Sequence, residues 1–67
     1  MNKQQLRDWI DEGMTRVAVF MYQTYGIPLD AFNDELSGRT RGEQMAFLSS
    51  FAKDYPSVFE GMPRYVP

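Results

Sequence analysis

Residue types and spacing that could do chemistry appear first in the basic run Gly38-Arg39-Thr40-Arg41-Gly42. It lies between two stretches of helical periodicity and so has the outline of a helix-turn-helix reader of DNA. In that arrangement Arg39, Arg41 and Gln44 would face the major groove. The surroundings oppose this reading. Asp34 and Glu35 come shortly before, and Glu43 sits where phosphates would come. The plainer expectation is an arginine pair bound by neighbouring carboxylates. The net charge of −2, from seven basic and nine acidic residues, points the same way. Non-specific nucleic-acid binding rests on neutralised phosphates, and the acidic excess is also too small for a DNA mimic.

The other polar candidates are weaker. Asp30 and Asp34 are four apart, with Glu35 adjacent, and could share a helix face as oxygen ligands for a divalent ion. No loop of calcium-binding type surrounds them, so a solvated acidic face is expected and no metal. Ser49 and Ser50 have no base nearby in sequence and read as packing or solvated residues. The chain contains neither histidine nor cysteine. The commonest general base, the thiol nucleophile and the soft metal ligands are therefore missing. The five glycines are isolated and form no phosphate loop. Neither an enzyme nor a cofactor is expected.

What remains is apolar surface. In Val17-Ala18-Val19-Phe20-Met21-Tyr22 an apolar or aromatic residue occupies every position. At about 100° per residue, Val17 and Met21 fall on the apolar stripe of a helix, while Val19 and Tyr22 fall among its acidic residues. Trp9, near the exposed beginning of the same helix, joins Val19 and Tyr22 as a candidate for partner contact. So do Phe59, Met62 and Tyr65 of the last segment, with Arg39 and Arg41 as flanking charges. Tyrosine and tryptophan anchor interfaces by burying large area at small entropic cost.

Three helices must position these residues. Asn2 followed by Gln5 is a capping pair, and Leu6, Ile10, Met14, Val17, Met21 and Tyr25 recur at spacings of four or three. This predicts a helix over 3–25, ended by Gly26 in the left-handed conformation with Pro28 beyond it. A short helix over 29–36 buries Leu29, Phe32 and Leu36 on one face and stops at Gly38. Thr40 and Glu43 form a second capping box, opening a helix over 41–55 whose stripe is Met45, Leu48, Phe51 and Tyr55, widened by Phe47. Pro56 ends it. The tail, 56–67, is read as one turn around Val58 and Phe59 followed by extended chain. The fold class expected is all-α: a small three-helix domain with a partly extended C-terminal tail, the second and third helices and the tail sandwiching the distal half of the first.

A chain of 67 residues makes one domain at most. At such a size only about 60% of the unfolded chain's surface is buried, and stability is marginal. Without cysteines, disulfides are excluded and association with a partner is the remedy left. The start, MNKQQLRDWIDEG, lacks the apolar core of a signal peptide. The longest apolar run is far short of the roughly 20 residues that span a bilayer. A soluble cytoplasmic location is expected, with no membrane association.

The stretch Tyr25-Gly26-Ile27-Pro28-Leu29 at the end of an apolar helix, two further helices, and a tail ending Pro63-Arg64-Tyr65-Val66-Pro67 resemble the theta subunit of bacterial DNA polymerase III. That resemblance covers residues 15–67 in outline and implies a three-helix protein that supports a proofreading exonuclease subunit. The link from Pro28 to the third helix is longer than in that family, and MAFLSSFAKD does not reproduce its basic third helix.

These readings converge on a non-enzymatic module that docks on a larger cytoplasmic protein as an adaptor, accessory subunit or phage-type inhibitor. The alternatives are a self-contained homodimer and a small DNA-binding regulator using residues 38–44.

Overall fold

The structure is a computed structural model and describes residues 2–62. Three helices follow one another, α1 (Lys3–Tyr25), α2 (Leu29–Ser37) and α3 (Arg41–Asp54), and a 3-10 turn at Pro56–Phe59 completes the described chain. Among the described residues there is no strand, and the fold is a small all-α, three-helix domain. Of the sequence candidates, Tyr65 lies outside the described residues, as does the extended part expected of the tail.

Local chemistry sets the helix ends. The Asn2 side chain accepts from the Gln5 N–H at 2.8 Å, and the Asn2 N–H donates to Gln5 Oε1 at 2.9 Å. Thr40 and Glu43 reproduce this box at α3, with the Glu43 N–H donating to Thr40 Oγ1 at 3.2 Å. Gly26 closes α1 at φ +70°, a conformation that costs a residue with a Cβ but not glycine. The helix α2 has no side-chain cap. Pro28 stands just outside it, at φ −57° and ψ 139°, and Gly38 ends it without turning left-handed. The Gln44 Nε2 donates to the Leu36 carbonyl at 2.8 Å and satisfies one of the last acceptors of α2.

At about 1.5 Å per residue the 23 residues of α1 span about 34 Å, which matches the longest dimension of the molecule, 34 × 26 × 16 Å. The shortest dimension admits two layers of helices set about 8–10 Å apart. α1 packs on α2, α3 and the 3-10 turn and keeps an outward face in water. All three pack on it as expected, yet they do not enclose its distal half, where Val19, Tyr22 and Tyr25 stay exposed.

The core is Trp9, Ile10, Val17 and Leu48, with Leu6, Met14, Met21, Met45, Phe59 and Met62 packed against it. Its tightest point is Gly13. A Cβ there would stand 3.0 Å from Leu48 Cδ1 and 3.3 Å from Phe59 Cε1, so α1 meets α3 and the turn with no space for a side chain. Trp9 is the main correction to the sequence reading: it is 7% exposed rather than a surface residue. After Pro56 the chain turns back and lays Phe59 and Met62 against the cluster to which Trp9 belongs. Arg16 latches this return, its Nη1 donating to the carbonyls of Val58 and Glu60 while its Nε pairs with Glu12 at 3.0 Å.

Candidate functional site

The outward face of α1 carries the first candidate surface. Gln4, Asp8, Asp11, Thr15, Val19 and Tyr22 are all exposed. At 100° per residue they fall within an arc of about 80°. The arc changes character along its length. Its first half carries carboxylates, and its second half carries Val19 and Tyr22, which keep 40% and 55% of their surface in water. Beside Val19 a cleft of about 430 Å³ opens between α1 and the 3-10 turn, lined by Thr15, Phe20, Gln23, Ser57 and Val58 among others. The expectation that Val19 and Tyr22 fall on the polar side of α1 matches where the structure puts them.

A second surface was only half legible. Along α3 the rings of Phe47, Phe51 and Tyr55 follow at intervals of four residues, with centroids 6.0 and 4.8 Å apart. Phe32 of α2 extends the row at one end, and Phe20 and Tyr25 of α1 extend it at the other. The sequence places Tyr25, Leu29 and Tyr55 on buried stripes, yet all three are exposed, Tyr25 at 61%. They stand at or next to helix ends, where neighbouring elements cover them only in part. A hydrogen bond shared with the Tyr25 hydroxyl, aided by the proximity of Tyr25, raises the Tyr55 pKa above the usual 10.0.

Phe59 and Met62 are half-buried against the core and present little outward surface. Arg39 lies in the turn between α2 and α3, and Arg41 is the first residue of α3, just beyond Thr40. Arg39 Nη1 lies 3.5 Å from Glu43 Oε2, and Arg41 makes no ion pair among the described residues. The Glu43 carboxylate accepts a hydrogen bond from the Thr40 hydroxyl at 3.0 Å. That bond, the Thr40 N–H and the nearby Arg39 hold its pKa below the usual 4.5. A carboxylate kept ionised at the first turn of α3 occupies the position a phosphate would need, and Gln44 is spent on the Leu36 carbonyl. The local geometry thus disfavours a reading helix.

A second cleft, of about 360 Å³, lies between α2 and α3 with Met21, Phe32, Leu36 and Phe47 on its walls and Glu35, Arg39 and Glu43 at its rim. Among the described residues no group of three acidic side chains is gathered as a metal site would require, so Asp30, Asp34 and Glu35 do not converge. No helix among them is long and apolar enough to cross a membrane. No family model matches the chain, and no curated protein or solved structure matches it either.

Arg16 is the residue that sequence reasoning missed. Its partners are backbone carbonyls more than 40 positions away, and only the Glu12–Arg16 spacing of four residues signals any role.

Proposed function

We propose that this chain is a non-enzymatic protein-binding module that docks on a larger cytoplasmic protein, as an adaptor, accessory subunit or inhibitor. The observation that carries the reading is the outward face of α1, where Val19 and Tyr22 stay exposed beside the cleft formed with the 3-10 turn. A single exposed apolar residue means little, whereas apolar groups continuous with a cleft supply the desolvation energy of an interface. The absence of histidine and cysteine from the sequence agrees with a binding role.

The test is capture of partners by the tagged chain from lysate of its source cell, in moderate salt with nuclease present. One protein recovered in stoichiometric amount from wild type, and lost from folded Val19→Asp and Tyr22→Asp variants, supports the reading. Recovery undiminished by both variants removes this face from consideration, and no recovered protein at all removes the reading. The resemblance to theta subunits names one partner to look for, a proofreading exonuclease subunit. The homodimer alternative uses the same apolar groups, and its signature is a concentration-dependent molecular mass that Val19→Asp abolishes.

A further inference from the structure

From the charge pattern of α1 we infer the chemistry of the docked partner: an amphipathic helix bearing lysines or arginines two to three turns from its apolar anchors. The inference rests on the docking reading above and specifies its occupant. The face of α1 in question contains Asp8 and Asp11 but no basic residue, and Glu12 at its edge is paired with Arg16. Lys3 and Arg7 project to one side of the arc, more than about 30° away at 100° per residue. Among the described residues Asp8 accepts only from the neutral Gln4 amide, at 2.9 Å, and Asp11 has no cationic partner.

Val19 stands eight positions beyond Asp11 and eleven beyond Asp8, about 12 and 17 Å along the axis. A helix laid along α1 would seat its apolar residues on Val19, Tyr22 and the cleft at Val58, and bring cations to the two aspartates. Opposite charges across an interface set orientation and association rate, whereas like charges oppose docking. This selects among occupants. A second copy in parallel would set Asp8 and Asp11 against their own equivalents, and in antiparallel would set them against Val19 and Tyr22 and leave them without counter-charge. An anionic bilayer or a nucleic-acid backbone would meet the same carboxylates.

The test uses the full chain, labelled with nitrogen-15, and two blocked helical peptides of about 18 residues, a length that sustains a helix. One carries leucines on one face of its first two turns and lysines two to three turns further on; the other carries glutamates in place of the lysines. The expected result is amide shift changes at Asp8, Asp11, Thr15, Val19 and Tyr22 with the lysine peptide, about tenfold weaker binding of the glutamate peptide, and weakening by salt. Asp8→Asn with Asp11→Asn should remove the difference between the peptides, and Val19→Ser should weaken both. Equal binding of both peptides at Val19 and Tyr22 overturns the basic chemistry while leaving the docking reading to the capture experiment. Shift changes confined to Phe47 and Tyr55, no binding of the lysine peptide, or dilution-dependent shifts at Val19 without peptide (the signature of a second copy) also overturn the inference.

Discussion

The two halves of α1 belong to one continuous helix and meet different fates. Around the middle of the helix, Gly13 lets it approach so closely that Leu48 fills the space where its Cβ would be, and Trp9, Ile10 and Val17 belong to the same buried cluster. In the second half the side chains are larger and the neighbours fewer. Phe20 and Met21 are partly covered, while Val19, Tyr22 and Tyr25 stay in water. Burial therefore does not simply follow apolar content: within the one apolar run Val17 and Ala18 are buried while Val19 and Tyr22 stay exposed. What decides is whether another backbone can come near, and a glycine permits that where a run of large side chains does not.

The largest expected effect tests the packed half. Leu48→Ala removes a side chain with 0% exposure and leaves a cavity against Gly13 and Val17. Such changes cost about 2–5 kcal/mol, enough to unfold a domain of this size. Denaturant unfolding followed by circular dichroism measures the loss, and a variant as stable as wild type would contradict the packing described.

Next comes Gly13→Ala. In an exposed helix it would gain about 0.5–1 kcal/mol. Here the new methyl meets Leu48 at 3.0 Å, and Leu48 is enclosed and cannot yield freely. Overpacking of this kind costs about 1–3 kcal/mol, so a net destabilisation of about 1 kcal/mol is expected. A stabilised variant would mean that the helices sit further apart.

Arg16→Ala should cost about 1 kcal/mol, discounted because the side chain is one-third exposed and its bonds are shared with water. Hydrogen exchange should show faster opening at Val58 and Phe59, with little change at Leu48.

The open half has a pH signature. The Tyr55 pKa is raised in the folded chain above its ordinary 10.0, so between these values the native state holds the proton more tightly than the unfolded one. Its stabilising contribution is complete below pH 10 and is lost as pH rises through the folded value. Tyr55→Phe should flatten that alkaline loss. Val19→Ser should have the smallest effect, within about 0.5 kcal/mol, because Val19 sits on the surface with 40% of its area already in water. Loss of partner capture without loss of stability would separate function from fold along a single helix.

Much of this was legible from local chemistry. Asn2 with Gln5, Thr40 with Glu43, and Gly26 mark helix ends through interactions spanning three or four residues, and the helix limits agree with the sequence reading to within one residue. The turn expected around Val58 and Phe59 is present as the 3-10 turn Pro56–Phe59. The place of Val19 and Tyr22 on the polar side of α1 came from helical angle, but their exposure did not. Trp9 could not be placed by such reasoning. Its angle puts it on the flank of the buried stripe, and only the fold shows that it joins the cluster against which Phe59 and Met62, some fifty residues later, also pack. Tyr25 and Tyr55 err in the opposite direction, because periodicity marks the face a residue shares and says nothing of how fully its neighbours cover it.

The sequence by itself therefore determined the helices, their limits and which apolar residues could not share one buried face. Each of these depends on groups within about one turn of each other, where backbone geometry fixes the distances. Only the tertiary structure decided that Gly13 is the point of closest approach, that Phe59 and Met62 cover the core, and that the aromatic row along α3 stays partly open. These depend on how two helices and a returning turn divide a limited surface, a choice made by packing between distant residues rather than by any local signal.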